Sequence, residues 1–318
     1  MSDQIPAALQ ANVSLQTLNT FGLEAKADYL VKISSEKQLE TLVRDPFVQK
    51  QAKMVFGGGS NMLLTGDLHL LVLQNEIRGI QILAETEKEV IVAFGGGEVW
   101  HDLVLHALSK DWGGLENLSL IPGKIGAAPI QNIGAYGVEL KDIFVRLRAI
   151  DLSTGELRVF EADECAFGYR DSVFKRDLKG QFMITEVILR LSRGAHQLNI
   201  GYGAIQAELA KLGKDDFTIQ DVSKAVIAIR ESKLPDPAKI GNSGSFFKNP
   251  EIPKAQFDAL KVKHPNVPGY VVNESTMKVP AGWLIEQAGW KGLRRGDYGV
   301  HSQQALVLVN DGCADGVD

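Results

Sequence analysis

The sequence contains 318 residues, of which 45% are hydrophobic and 23% are charged, and its formal net charge is -5. This length is enough for two domains, and the acidic balance provides no basic surface for nucleic acid or an anionic membrane. Cys165 and Cys313 are the only cysteines, so no disulfide framework is implied and a reducing compartment is favoured. Because no apolar run approaches the ~20 residues of a membrane span and no secretory signal is recognisable, we expect a soluble, cytoplasmic protein.

The first predicted elements form an α/β lobe that ends in a glycine turn. Residues 29–33 are predicted to form a strand, and Ser35 and Gln38 form a capping box for a helix with an apolar face. A short buried strand at residues 54–56 then leads to the turn at residues 57–61, GGGSN. Consecutive glycines expose backbone N–H groups of the kind that bind a pyrophosphate, so this order is typical of a nucleotide-binding lobe.

This glycine turn matches neither of the two common phosphate motifs. No Gly-Lys-Ser/Thr follows it, as a triphosphate loop requires. Met62 occupies the last position of G-x-G-x-x-G/A, so a Rossmann assignment fails. The triplet alone leaves two alternatives open, a tight turn and a phosphate-binding loop.

Two further strands and a helix follow the turn. Strands are predicted at residues 70–75 and 90–94, before an amphipathic helix whose inner face carries Trp100, Val104, Ala107 and Leu108. His101 and His106 are five residues apart and do not share a helical face, so we interpret them as solvated surface histidines. We expect no metal site.

The segment from Gly114 to Gly137 has no helical or strand periodicity. It contains five glycines, two prolines and two asparagines among apolar residues. Irregular loops of this length are uncommon in compact domains and are usually functional, and glycines permit positive φ and close backbone approach. We interpret the segment as a buried cradle for a large ligand; the alternative is a well-packed irregular connection.

The second half of the chain begins with a predicted β-hairpin over residues 145–151 and 156–161 and a strand over residues 182–191. Between them lies Arg170, which by itself is better explained as a surface partner of a neighbouring carboxylate such as Asp171. Helical patterns then appear at residues 204–212 and 222–232, so we expect the main domain boundary near residue 200.

The second predicted domain contains the segment GNSGSFFKNP at residues 241–250. Helices are predicted around residues 257–262 and from Pro280, and the last strand covers residues 305–310. A nucleophile elbow would require glycine where Ser245 stands, so this segment disfavours a hydrolase.

Seven stretches together resemble one family, the bacterial UDP-N-acetylenolpyruvoylglucosamine reductases (UDP-N-acetylmuramate dehydrogenases) of the tyrosine-loop class. They are NTFGLEAKA (19–27), FGGGSNML (56–63), the cradle (114–137), FGYRDSVFK (167–175), GNSGSFFKNP (241–250), AGWLIEQAGWKG (281–292) and HSQQALVLVN (301–310). The resemblance runs from about residue 15 to residue 310. It implies an α+β protein with a two-lobed FAD-binding domain of the vanillyl-alcohol-oxidase (PCMH) type over residues 15–200. A substrate-binding α+β domain over residues 201–318 would follow.

The resemblance also implies an activity. Enzymes of this family use NADPH and FAD to reduce UDP-N-acetylglucosamine enolpyruvate to UDP-N-acetylmuramate, a peptidoglycan precursor of the cell wall. We therefore expect FAD and NADPH as cofactors and the enolpyruvyl sugar nucleotide as substrate. We expect a monomer without nucleic-acid or membrane partners.

Site residues are implied by matching positions. The resemblance implies that the FAD pyrophosphate is held by Gly57, Gly58, Gly59, Ser60 and Asn61. The cofactor channel would be lined by Ser119, Pro122, Gly123, Gly126 and Ile133. The substrate would be bound by Tyr136, Tyr202, Lys233, Asn249 and Gln304. Arg170 matches the arginine that stabilises charge on the substrate carboxylate, and Ser245 matches the serine that delivers a proton.

One feature of the family has no match in this sequence. Family members also use a glutamate in a C-terminal Glu-Pro-Glu-Val-type stretch, and no such motif occurs between Gln304 and Asp318. We therefore expect either a truncated sequence or a departure from the family at a catalytic position. Two other functions stay open at this point: another flavin oxidase or dehydrogenase of the same fold, and a nucleotide-binding protein without turnover.

Overall fold

The structure is a computed structural model that describes residues 5–317, and the chain forms two compact units. The first unit comprises residues up to 15, residues 25–59 and residues 67–232. The second comprises residues 16–24, 60–66 and those from 233 onward. Two short segments from the N-terminal part of the chain thus belong to the second unit. No helix among residues 5–317 is long and apolar enough to cross a bilayer.

The first unit begins with a four-stranded sheet of strand order β1-β2-β4-β3. Its pairs β2–β4 and β3–β4 are parallel, and helices α1 and α2 lie in the connection from β2 to β3. The Ser35 hydroxyl caps helix α1 by accepting from the Gln38 N–H at 3.2 Å, whereas the Gln38 side chain accepts from the Ser34 N–H at 2.8 Å. The predicted capping box is therefore half formed. The elements are β1 (Gln10–Ser14), β2 (Lys26–Ile33), α1 (Glu36–Val43), α2 (Pro46–Gln49), β3 (Lys53–Phe56) and β4 (Leu68–Asn75).

A six-stranded sheet of order β11-β10-β12-β6-β5, with β7 paired to β12, forms the second part of this unit. The apolar face of α3 packs on it, and Trp100, Val104, Ala107 and Leu108 are all buried as predicted. Strand β5 was not predicted, because all its residues are exposed at the sheet edge and show no buried alternation. The elements are β5 (Ile80–Glu85), β6 (Glu89–Gly95), α3 (Trp100–Ser109), β7 (Trp112–Gly113), β8 (Gly134–Ala135), β9 (Val138–Glu139), β10 (Phe144–Asp151), β11 (Leu157–Glu161) and β12 (Phe182–Arg193).

The cradle between β7 and β9 is irregular, as its composition predicts. It contains short 3₁₀ turns at Glu116–Leu118, Ile125–Ala127 and Pro129–Gln131. Non-glycine residues Leu120, Asn132 and Tyr136 adopt positive φ values of 59°, 44° and 50°. Such backbone conformations are sparsely populated and cluster at functional sites.

Helices α4 (Gly203–Ala210) and α5 (Ile219–Lys233) pack with the first unit. Ile205 and Val226 share a buried core with Tyr136 of the cradle, and the Gln220 side chain donates to the Leu108 carbonyl at 2.9 Å. The compact units therefore divide the chain after Ser232 rather than near residue 200, because the apolar residues of the two helices form one core that includes Tyr136.

The second unit contains two small antiparallel sheets, of order β13-β19-β18-β17 and β14-β16-β15. Its early segment is tied in by hydrogen bonds from the Asn242 N–H to the Thr20 carbonyl (2.9 Å) and from Asn310 Nδ2 to the Phe21 carbonyl (3.0 Å). The elements are β13 (Gly241–Ser245), β14 (Glu251–Pro253), α6 (Lys254–Lys263), β15 (Tyr270–Asn273), β16 (Thr276–Lys278), α7 (Ala281–Gln287), β17 (Arg294–Arg295), β18 (Tyr298–Val300) and β19 (Val307–Asn310).

Candidate active site

Glycine loops from distant parts of the sequence meet within the first unit. A Cβ atom at Gly58 would lie 3.0 Å from the Gly123 Cα, so the turn after β3 rests directly on the cradle. The Gly126 N–H donates to the Gly96 carbonyl at 2.9 Å, and a Cβ atom at Gly126 would lie 2.7 Å from that oxygen. Because these loops contact one another through bare backbone, they form a surface that a pyrophosphate and a flat ring can approach closely. This arrangement fits FAD.

The buried side chain of Lys124 links these loops to the end of β4. The Lys124 ammonium donates to the Asn75 carbonyl at 2.7 Å and pairs with the Glu76 carboxylate at 2.6 Å. The Asn75 side chain in turn donates to the Ile184 carbonyl at 2.8 Å. The end of β4, the cradle and β12 are thus joined by one network, which the sequence pattern did not reveal.

The remaining residues predicted to line the cofactor channel occupy different environments. Ser119 is fully buried, and its hydroxyl donates to the Glu116 carbonyl at 2.7 Å and is hydrogen-bonded to the Ser223 hydroxyl at 2.8 Å. Ile133 is buried in the core, whereas Pro122 is exposed. The Ser119 hydroxyl is therefore already engaged by protein groups.

His101 differs from its predicted environment. Its Nδ1 accepts a hydrogen bond from the Leu120 N–H at 3.0 Å, so the ring fixes a cradle residue of positive φ. Burial lowers the pKa of His101, Asp102 opposes the shift and Arg230 adds to it. The interpretation of His101 as a solvated surface histidine is wrong, because this side of α3 faces the cradle. Among residues 5–317, no cluster of histidine, cysteine and carboxylate side chains is arranged to hold a metal ion.

Two predicted substrate residues, Tyr136 and Tyr202, are brought together. Their rings pack edge to face with centroids 5.3 Å apart. Burial raises the pKa of the Tyr136 phenol, and the nearby Arg230 guanidinium opposes the shift. The Arg230 Nε is buried without a hydrogen-bond partner among the described residues. A cation and two phenols at one position form a polar site suited to an anionic ligand.

Arg170 lies in a turn held by the cradle, and its φ is 54°. Its Nη2 donates to the Gly134 carbonyl, and its Nη1 lies 3.7 Å from a Glu139 carboxylate oxygen. Nη1 is buried and has no hydrogen-bond partner in the described chain. Asp171 pairs instead with Arg176, so the alternative of a surface pair between Arg170 and Asp171 does not hold.

The second unit positions Ser245, Asn249 and Gln304 by short elements. Ser245 ends β13 opposite Val307 of β19 and is exposed. The Asn249 side chain accepts from the Ala281 N–H at 2.9 Å at the start of α7. The Gln304 Oε1 lies 3.8 Å from the position of a Cβ atom at Gly282, so Asn249 and Gln304 both border the first turn of α7.

Three predicted residues lie next to positions where the chain passes from one compact unit to the other. Lys233 is the last residue of α5 and is exposed. Ser60 and Asn61 follow the glycine turn and belong to the second unit, although Gly57–Gly59 belong to the first.

The sequence patterns do not point to three polar residues of this region, Arg230, Glu139 and Asn132. For Arg230 a signal existed: Val222, Val226 and Arg230 are spaced four residues apart, which places a cation on the inner face of a helix. Asn132 is completely buried and Glu139 is half-buried, but both lie in an irregular segment without a period. Only the folded contacts identify them.

Comparison with known proteins agrees with this architecture. The family model described as "FAD binding domain" matches residues 27–161, and the model of the UDP-N-acetylenolpyruvoylglucosamine reductase C-terminal domain matches residues 236–318. The solved UDP-N-acetylenolpyruvylglucosamine reductase of Thermus caldophilus superposes with a TM-score of 0.67 and 23% identity, covering 98% of this chain and 91% of that one. At this identity the match establishes the fold. It is the two-lobed FAD-binding fold with an α+β C-terminal domain that the sequence predicted.

Curated relatives match at much higher identity. The UDP-N-acetylenolpyruvoylglucosamine reductase of Flavobacterium johnsoniae is 52% identical over 308 residues, which are 97% of this chain and 91% of the relative. That of Pseudomonas savastanoi is 50% identical over 309 residues, with the same coverage. These matches favour the reductase over the oxidase and non-catalytic alternatives. The chain belongs to the UDP-N-acetylenolpyruvoylglucosamine reductase family.

Proposed function

We propose that this chain catalyses the NADPH-dependent, FAD-mediated reduction of UDP-N-acetylglucosamine enolpyruvate to UDP-N-acetylmuramate, a step of peptidoglycan precursor synthesis. The observation that carries the proposal is the 52% identity to a curated reductase, which extends over both compact units. FAD, when bound, would accept a hydride from NADPH and pass it to the terminal carbon of the enolpyruvyl group.

The glycine loops of the first unit would hold the cofactor. The backbone of the turn after β3 lies close to the backbone of the Gly123–Gly126 part of the cradle. N–H groups of such loops bind pyrophosphate oxygens. Lys124 supports these loops through Glu76 and Asn75 and keeps them in register. In this account Ser119 and Ile133 shape the cradle from within, because both side chains are packed against protein.

Arg170 would stabilise the charge that the reaction creates. Hydride addition to the terminal carbon moves an electron pair toward the adjacent carbon and its carboxylate, and a preorganised cation there lowers the barrier. Arg170 supports this role because its Nη1 is buried without a hydrogen-bond partner among residues 5–317. A substrate carboxylate oxygen would supply the partner.

Ser245 would complete the addition by giving its hydroxyl proton to that carbon. A serine hydroxyl is a weak acid, but the carbon that receives the proton is strongly basic. Tyr136, Tyr202 and Lys233 would bind the nucleotide diphosphate, with Arg230 as an additional cation beside Tyr136. Asn249 and Gln304 would contribute from the start of α7. We expect the enzyme to act as a monomer in the cytoplasm.

A steady-state assay tests the proposed function. The purified protein, reconstituted with FAD, is mixed with NADPH and the enolpyruvyl sugar nucleotide, and the product is identified by mass spectrometry. We expect NADPH oxidation that depends on this substrate and a product that has gained a hydride and a proton. UDP-N-acetylglucosamine, which lacks the enolpyruvyl group, is the control. NADPH oxidation at the same rate with the control nucleotide, and no reduced product, would contradict the proposal.

A further inference from the structure

Glu139 is a carboxylate partner of Arg170, and the distance between them is informative. The Glu139 Oε1 lies 3.7 Å from the Arg170 Nη1, which is an ion-pair distance but too long for a hydrogen bond. The other amino group of the guanidinium, Nη2, donates to the Gly134 carbonyl. Glu139 therefore attracts the guanidinium without satisfying Nη1, which keeps its hydrogen-bonding capacity for another acceptor.

The Glu139 carboxylate is itself held from several directions. Its Oε2 accepts from the Asn132 amide at 3.0 Å and lies 3.2 Å from the Lys141 ammonium. Its side chain also accepts from the Asp142 N–H, which closes a capping box around the short helical turn after β9. A carboxylate with this many fixed donors has little freedom to follow a moving guanidinium.

Asn132 connects this carboxylate to the turn that carries Arg170. Its side chain is completely buried, donates to the Gly168 carbonyl at 3.0 Å and accepts from the Lys141 N–H at 3.0 Å. Asn132 and Arg170 both adopt the left-handed backbone conformation, with φ of 44° and 54°. Non-glycine residues keep such conformations only where surrounding contacts fix them, and the hydrogen bonds of the Asn132 side chain provide such contacts.

We propose that Glu139, oriented by Asn132, is a positioning residue for Arg170: it holds the guanidinium so that Nη1 faces the substrate carboxylate. The inference rests on the proposed function, in which Arg170 stabilises charge on that carboxylate. Glu139 acts through Arg170 and is not itself assigned contact with the reacting atoms. Its effect should therefore vanish when the guanidinium is removed.

The test uses the FAD-loaded enzyme in single turnovers. Flavin is reduced with NADPH without oxygen and then mixed with the enolpyruvyl sugar nucleotide, and the two half-reactions are followed by flavin absorbance. In Glu139→Gln we expect reoxidation to slow by about 10- to 100-fold, the effect of a misplacement of about 1 Å. Flavin reduction and FAD affinity should stay within about twofold of the wild type, because neither involves the guanidinium.

A double-mutant cycle separates positioning from a general structural role. In the Arg170→Met background, adding Glu139→Gln should slow reoxidation by no more than about twofold further. Glu164→Gln is the matched control, because it removes a carboxylate paired with Arg158 at 3.1 Å elsewhere in the same unit. It should leave both half-reactions unchanged.

Three results would overturn the proposal: unchanged reoxidation in Glu139→Gln, an equal slowing in the Arg170→Met background, or a parallel loss of flavin reduction. A crystal structure of Glu139→Gln gives a readout that does not depend on the reaction. We expect the guanidinium to be displaced by roughly 1 Å or more, and an unmoved guanidinium would refute the positioning role. Failure of the wild-type enzyme to reoxidise with this substrate would instead refute the proposed function.

Discussion

Replacing Gly126 by alanine tests directly whether the glycine loops must contact one another through bare backbone. A Cβ atom there would lie 2.7 Å from the Gly96 carbonyl oxygen, 3.0 Å from the Asn75 Nδ2 and 3.0 Å from the Ile184 carbonyl oxygen. Both oxygens already accept hydrogen bonds, at 2.9 Å from the Gly126 N–H and at 2.8 Å from Asn75. The methyl group can therefore enter only if the loops separate.

The expected size of the effect follows from these contacts. Overpacking in a closely packed site costs about 1–3 kcal/mol, and each weakened hydrogen bond adds about 0.5–1.5 kcal/mol. We expect the free energy of unfolding of the apoprotein to fall by about 2–4 kcal/mol. If FAD binding requires the undistorted loops, its affinity should fall by roughly 30- to 1,000-fold, since 1.4 kcal/mol corresponds to a factor of ten.

Denaturant unfolding of the apoprotein and titration with FAD, followed by flavin fluorescence, measure the two quantities. Gly57→Ala is the matched control, because the nearest atom to its Cβ would be the Ala127 Cβ at an ordinary 3.5 Å. Its free energy of unfolding should stay within about 0.5 kcal/mol of the wild type. A Gly126→Ala protein that unfolds at the wild-type denaturant concentration and binds FAD with wild-type affinity would refute the loop-packing argument.

Three further predictions concern single side chains. Ser245→Ala should leave flavin reduction by NADPH intact and slow reoxidation by the enolpyruvyl substrate by about 10²–10⁴-fold; loss of flavin reduction in rapid mixing would instead make Ser245 structural. Lys233→Met should raise KM for the sugar nucleotide by roughly 10- to 100-fold, because it removes a hydrogen bond from a charged donor. FAD affinity should not change, and an unaltered KM would show that Lys233 does not bind the substrate. Burial lowers the pKa of His101 from 6.5 in the folded protein, so the unfolded chain binds more protons below pH 6.5. The stability contributed by the neutral ring is therefore present above pH 6.5 and is lost as the pH falls through the lower pKa of the folded state. Thermal unfolding of His101→Gln should accordingly depend less on pH between about 7 and 5 than that of the wild type, and identical pH profiles would contradict this.

The sequence was most informative where a local period or cap determines the structure. The inner face of α3, the Ser35 cap and the hairpin of β10 and β11 follow from spacing within a few residues. The irregular cradle was predicted as a segment because its glycines exclude both periods. Its contacts with the rest of the chain do not follow from the sequence, since Asn132 meets Gly168 across 36 residues of sequence.

The same limitation explains the domain boundary and the supporting residues. Residues 16–24 and 60–66 join the second unit although the surrounding chain belongs to the first, and no composition change marks them. Helices α4 and α5 follow the predicted boundary but pack against the first unit, because their partner, Tyr136, lies in the cradle. The roles predicted for Arg170 and Ser245 follow only from the family resemblance, and the environment of Arg170 becomes visible only in the fold.

The central claim is that reduced flavin on this chain delivers its hydride to the enolpyruvyl sugar nucleotide. The most direct measurement is an oxygen-free single turnover, in which the enzyme is first reduced with one equivalent of NADPH and then mixed with UDP-N-acetylglucosamine enolpyruvate. We predict that the absorbance of oxidised flavin returns and that UDP-N-acetylmuramate forms in an amount equal to the flavin reoxidised. Flavin that stays reduced in the presence of this substrate, while oxygen reoxidises it, would contradict the account.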